Sequence, residues 1–174
     1  MTELVIDIRF AAIADAAALA GVHERSWREA YAGLLPAMAL NRMIAQRGAP
    51  WWSAALRRRS DILVLDIDAT IAGYASLSRS RIGGGGKVGE VRELYLDPLY
   101  QGIGFGAQLF GAARQVLNSR GYARVIVTAL EENHRAMAFY RQRGGRLLGR
   151  GETTFGSKPF ATRSFVWTQK PAPT

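Results

Sequence analysis

Apolar and polar positions alternate in distinct periods along the chain, and the periods predict its elements. Residues 4–10 alternate and are rich in β-branched side chains, which predicts a first strand. Behind Asp15 as N-cap, Ala16, Leu19, Ala20, His23, Trp27, Ala30 and Tyr31 recur at helical spacing, so a helix is predicted to about Gly33. Pro36 opens a second helical segment to about Met43, and a third spans residues 49–59. Asp61–Asp66 carries the continuous apolar run of a buried strand. Asp68-Ala69-Thr70 turns the chain, and Ile71–Ser80 returns as the other arm of a hairpin. Strand 87–96 is followed by helix 104–118, whose Gly106, Leu109, Phe110, Ala113, Val116 and Leu117 share one face, and then by strand 123–129. Helix 131–143 turns Ala136, Phe139 and Tyr140 inward and stops at Gly144-Gly145. Strands 146–152 and 159–168 close the pattern around a turn at Gly156–Pro159.

The strand–helix–strand run across residues 87–129 implies a right-handed crossover joining two parallel strands. The remaining strands follow one another through short turns. The expectation is an α/β fold of the α+β type, with a mixed, mostly antiparallel sheet around one parallel pair. No repeat or linker divides the sequence, so one domain is expected over 1–168, with a flexible tail at 169–174.

Composition narrows the chemistry. The 174 residues suit one domain with a sizeable core, and no apolar run approaches the ~18 residues of a membrane span. The N-terminal residues lack a secretory pattern, so a cytoplasmic location and no membrane partner are expected. There is no cysteine, which removes disulfides, thiolate metal sites and a thiol nucleophile together. Only His23 and His134 are histidines, so no metal site is expected. The net charge of +9 is carried almost entirely by arginine. It attracts anions, including polyphosphate cosubstrates, and a nucleic-acid partner is not expected from charge alone.

Residues 90–107 hold the most informative pattern: a strand, a turn at Asp97-Pro98 and a glycine loop opening a helix. Such a loop presents backbone N–H groups to a phosphate. A triphosphate loop needs Gly-Lys-Ser/Thr, but Gly106 is followed by Ala107-Gln108. A dinucleotide loop needs G-x-G-x-x-G and an acid about 20 residues on. Gly102-Ile103-Gly104-Phe105-Gly106 has the wrong final spacing, and the next acid after Asp97 is Glu131. A second glycine run, Gly83–Gly86, precedes no helix and reads as a mobile hairpin loop.

Gln101-Gly102-Ile103-Gly104-Phe105-Gly106 fits Gln/Arg-x-x-Gly-x-Gly/Ala, the loop of the GCN5-related N-acetyltransferases. The preceding Glu93-Leu94-Tyr95-Leu96-Asp97-Pro98 and the Asn133–Tyr140 segment resemble that family as well. So do Arg9, the helix bearing Trp27 and Tyr31, and Gly33-Leu34-Leu35-Pro36, which look like one bacterial subgroup. The resemblance spans residues 4–168 and implies a splayed central parallel strand pair, with acetyl-CoA as cosubstrate and no metal. It implies pantetheine pairing with the backbone of Leu94, Tyr95 and Leu96, pyrophosphate on residues Gln101 to Gly106, and a pantetheine contact from Asn133, whose other reading is helix capping. It also implies Tyr140 as the acid that protonates the departing thiolate, with core packing as its other reading.

For the base, Glu90 is preferred to Glu93. By strict alternation Glu90 shares a face with Leu94 and Leu96 while Glu93 points away, a count that a β-bulge would change. Trp27 and Tyr31 stand on the arm that roofs the acceptor site in this fold, although a stripe at helical spacing usually packs inward. His23 reads as a packing histidine. The expected activity is acetyl transfer to a small-molecule amine. Acetylation of a protein N-terminus or lysine, and a non-catalytic acyl-CoA sensor, remain open beside it. Homodimerisation is an expectation of the family.

Overall fold

The computed structural model describes residues 3–82 and 87–170. The Gly83–Gly86 run and most of the expected tail, residues 171–174, lie outside the described residues. The strands are β1 (Ile6–Phe10), β2 (Asp61–Ile67), β3 (Thr70–Arg79), β4 (Val88–Leu96), β5 (Arg124–Leu130), β6 (Arg146–Phe155) and β7 (Lys158–Thr168). They form one sheet in the order β1-β2-β3-β4-β5-β7-β6. All neighbours are antiparallel except β4 and β5, which are parallel. The helices are α1 (Ala16–Tyr31), α2 (Ala37–Gln46), α3 (Ala49–Arg57), α4 (Phe105–Ser119) and α5 (His134–Gln142). Among the described residues no helix is long and apolar enough to cross a membrane.

The helices cover opposite faces of the sheet. Leu109, Phe110, Ala113 and Leu117 of α4 and Met137 and Tyr140 of α5 pack on Leu63, Leu65, Val91, Val125, Val127, Phe165 and Trp167. Each large side chain buried there contributes about 1.5–3 kcal/mol. On the other face, Leu19 and Val22 of α1 and Trp52 and Leu56 of α3 pack on Ile62, Val64, Ile71 and Tyr74.

Local chemistry shifts several expected boundaries. Asp15 stands at the start of α1 but makes no capping bond to it. Its carboxylate instead accepts from the Ala12 N–H at 2.7 Å and from Arg9, which also reaches Asp66. Arg9 thus ties β1 to β2 and to the entry of α1. Helix α2 continues past Met43 to Gln46 because Ile44 adds a buried contact on the same face as Leu40. Strand β6 runs to Phe155, whose register partner is Lys158, so only Gly156-Ser157 form the turn.

Two irregularities of β4 decide the shape of the sheet's centre. Ser76 pairs with Glu93 and Leu77 with Val91, so Arg92 is an extra residue bulged out of the ladder to β3. The pairing of β4 with β5 covers only Val88–Arg124, Gly89–Val125 and Glu90–Ile126. Beyond Glu90, β4 stays with β3 and leaves β5, while β5 is fully paired to β7 on its other side. The bulge corrects the expectation for the two carboxylates. Strict alternation set Glu90 on the face of Leu94 and Leu96. With Arg92 looped out, Glu90 and Glu93 share the opposite face, that of Tyr95.

Candidate active site

The gap between β4 and β5 is closed at one end by the glycine loop. Asp97 accepts from the Leu99 N–H at 3.0 Å and is held by Arg25 of α1 at 2.6 Å, which fixes the turn after β4. The Gln101 side chain donates to the Leu96 carbonyl at 3.0 Å, folding the loop back on the strand end. Gly104 has φ +96° at the start of α4, a conformation that costs an L side chain about 1–2 kcal/mol. Gly106 is needed for space instead. A Cβ there would stand 3.2 Å from the Phe139 ring and 3.3 Å from Leu96, so its absence lets α4 close on β4 and α5. Among the described residues, the amides of residues 102–107 donate to no backbone carbonyl. They form a patch of unpaired N–H groups at the positive end of the α4 dipole. Leu94 and Leu96 pack on the core with their side chains, while the β5-facing backbone of this part of β4 has no strand partner.

Tyr140 projects from α5 into the core beneath it. It is nearly buried among Phe110, Phe139, Phe165 and Trp167. Its hydroxyl has no hydrogen-bond partner among the described residues, and burial raises its pKa, so it is a protonated phenol. The Tyr31 phenol adds a smaller upward push. Asn133 caps α5 by accepting from the Ala136 N–H at 3.1 Å. The capping reading is therefore realised, and it occupies only the side-chain carbonyl.

On the α1 face, Trp27 is buried and Tyr31 half-buried against Tyr95. The Tyr31 and Tyr95 hydroxyls are hydrogen-bonded at 2.6 Å, and burial raises both pKa values. Trp27 packs edge-on to Tyr31, with ring centres 5.2 Å apart. His23 is fully buried beside it, its Nδ1 3.1 Å from the Tyr74 hydroxyl. Burial and the nearby Arg47 charge lower its pKa to about 3, so it is a neutral packing residue and no base at neutral pH.

The two β4 carboxylates differ in company. Glu93 is paired with Arg47 at 2.5 Å. Glu90 is half-buried, has no ion-pair or hydrogen-bond partner among the described residues, and its pKa is raised by desolvation, with Arg92 opposing the rise. An unpaired carboxylate with raised proton affinity is better suited to accept a proton than one neutralised by an arginine. Sequence reasoning missed Arg47 and Arg92. Arg47 follows the end of α2 with no periodic signal, and Arg92 becomes prominent only through the bulge.

The sequence and fold match known proteins. A model of the Acetyltransferase (GNAT) family matches residues 20–145. The chain is 27% identical over 138 residues to the uncharacterized N-acetyltransferase YuaI of Bacillus subtilis (strain 168), covering 79% of this chain and 78% of that protein. It is 32% identical over 101 residues to mycothiol acetyltransferase of Salinispora tropica, covering 58% of this chain and 32% of that protein. The crystal structure of the PaiA N-acetyltransferase of Thermoplasma acidophilum in complex with coenzyme A shares the fold. Its TM-score is 0.73 at 23% identity, covering 91% of this chain and 98% of that one.

Proposed function

The chain belongs to the Acetyltransferase (GNAT) family, and from that premise we propose that it acetylates the amine of a small molecule by direct attack in a ternary complex. It is an acetyl-CoA-dependent acyltransferase. Acetyl-CoA supplies an activated acyl thioester. In this reading the loop Gln101 to Gly106 holds the pyrophosphate, through the N–H groups of Gly102, Ile103, Gly104, Phe105 and Gly106, while the Gln101 N–H donates to the Pro98 carbonyl at 3.4 Å. The backbone of Leu94, Tyr95 and Leu96 takes the pantetheine arm where β5 has departed, and one N–H polarises the thioester carbonyl. Asn133 keeps its amide N–H groups for the same arm. Tyr140 holds the proton needed at the departing sulfur. Glu90 accepts the proton of the amine, directly or through water. Trp27 and Tyr31 wall the acceptor side.

The observation that carries this reading is the opening of β4 from β5 beyond Glu90 beside a loop of unpaired amides. A gap of this kind leaves strand backbone unpaired in the sheet's centre, and an extended amide-bearing chain satisfies it. The test is a thiol-release screen with acetyl-CoA against amines, amino acids, aminoglycosides and peptides, with calorimetry of acetyl-CoA binding. Turnover on small amines but not on peptides is expected. Absence of acetyl-CoA binding would overturn the reading, and turnover restricted to peptides would replace the acceptor class.

A further inference from the structure

A cavity of about 400 Å³ lies on the α1 face between α3 and the bulged part of β3 and β4. Its size is within the range of small-molecule sites and accommodates a ligand such as an amino acid. Consecutive strand residues normally point to opposite faces. Here the bulge lets Arg92 and Glu93 both line the cavity, together with Arg47, Arg58, Trp51 and Ser76.

The charges in this cavity do not balance. Arg47 is spoken for: it is paired with Glu93 at 2.5 Å and lies over the Trp51 ring at 4.4 Å. Arg58, just past the end of α3, and Arg92, on the bulge, form no ion pair among the described residues. Two guanidiniums brought to one cavity from different elements, with the local carboxylate already neutralised, favour a bound anion. Glu90 is the next position of β4 on the same face before the bulge, and Arg92 is near enough to influence its proton affinity. Glu90 is outside the cavity's lining, and the register of β4 places it one same-face position before Glu93, which does line it. Trp51 offers a partly exposed ring at the rim.

We infer that this cavity binds the carboxylate of an amino-acid-like acceptor, with Arg58 and Arg92 as the residues that select it. The inference rests on the acetyltransferase reading above and names its substrate class. It requires no new chemistry: the nitrogen–carbonyl bond forms, the thioester bond breaks, the amine proton leaves through Glu90 and CoA departs as the thiol.

The test uses matched pairs that differ only in the carboxylate: phenylalanine with 2-phenylethylamine, leucine with isopentylamine, and methionine with 3-(methylthio)propylamine. Turnover is measured with acetyl-CoA. Binding of the corresponding N-acetyl products to the CoA-saturated enzyme is measured by calorimetry, which needs no turnover. At least one carboxylated member is expected to exceed its partner by about tenfold or more in kcat/KM and in product affinity, as a charge-assisted contact allows. Arg58→Gln with Arg92→Gln should erase that ratio while leaving the KM for acetyl-CoA within about twofold. Both side chains are exposed, so the variant retains its core. Reading a ratio cancels any shift of Glu90 caused by losing the Arg92 charge. Equal or better use of the decarboxylated amines in all three pairs, with acetyl-CoA still bound, overturns this inference alone. An undiminished ratio in the double variant also overturns it. Failure of acetyl-CoA to bind brings down the acetyltransferase reading and this inference together.

Discussion

The two faces of the sheet are packed with different chemistry. Under α4 and α5 the buried core is almost wholly Leu, Val, Ala, Phe, Met and Trp; among the described residues Tyr140 is its one buried phenol, with Tyr100 and Tyr122 packed at the margin. Under α1–α3 the buried set includes His23, Tyr74 and Trp27, with Tyr95 and the Arg47–Glu93 pair partly buried beside them. The more apolar face is a scaffold that holds the glycine loop and the Tyr140 ring in fixed positions. The other face concentrates groups that donate, accept or carry charge. The contrast between Glu90 and Glu93 repeats the lesson on one strand: same face, three residues apart, one neutralised by an arginine and one left alone in a partly desolvated place. In the proposed assignment, what separates the carboxylate read as the base from the structural one is its partner and not its type.

That contrast can be broken most sharply at Tyr140. Tyr140→Phe keeps the ring among Phe110, Phe165 and Trp167 and removes only the unpartnered hydroxyl. Turnover should fall ~10²–10⁴-fold, the range of general acid–base groups, with acetyl-CoA affinity by calorimetry unchanged. Unchanged turnover would return Tyr140 to the role of a packing ring.

Next comes the carboxylate pair. Glu90→Gln should lower kcat/KM by about 10² and abolish the rise of activity with pH. The sign follows from the base role: Glu90 works when deprotonated, and burial raises its pKa, so wild-type activity climbs through a pKa above the ordinary glutamate value of 4.5. Glu93→Gln should instead act mainly on stability, because it strands Arg47. If Glu93→Gln alone removes the pH limb, the assignments are reversed.

A smaller effect is expected at the loop. Gly104→Ala puts a side chain at φ +96° and should weaken acetyl-CoA binding by roughly tenfold, from about 1–2 kcal/mol of strain. Equal affinity would show that the loop conformation is not required for binding.

The phenol- and histidine-bearing face also predicts an acid sensitivity. His23 has a folded pKa of about 3 against an ordinary 6.5. Between those values the unfolded chain binds a proton that the folded chain refuses, so stability should fall as pH drops below 6.5, by at most about 1.4 kcal/mol per unit. Thermal melts from pH 7 to 4 on the wild type and His23→Gln test this, and the slope should be shallower in the variant. Least of all, Tyr31→Phe should cost about 1 kcal/mol through its lost bond to Tyr95.

Much of this fold was legible along the chain. The helical period of Leu109, Phe110, Ala113 and Leu117 and the apolar run of β2 describe burial against a sheet, and both are local patterns. The glycine loop was legible for a similar reason: its spacing encodes a backbone conformation, and Gly104 adopts φ +96°. The carboxylates were not. Counting by twos assigns the faces of a strand only while the ladder is regular, and one extra residue at Arg92 reverses every assignment beyond it. The partners of Glu93 and Asp97, Arg47 and Arg25, lie 46 and 72 residues away and leave no periodic mark.

The sequence by itself determined the elements, the loop and the family, because period, turn chemistry and glycine spacing act over a few residues. Only the tertiary structure decided where β4 leaves β5, which glutamate stands unpaired and which arginines share a cavity. Those depend on strand register and on contacts between distant segments, and a bulge of one residue or an arginine from another helix is enough to change them.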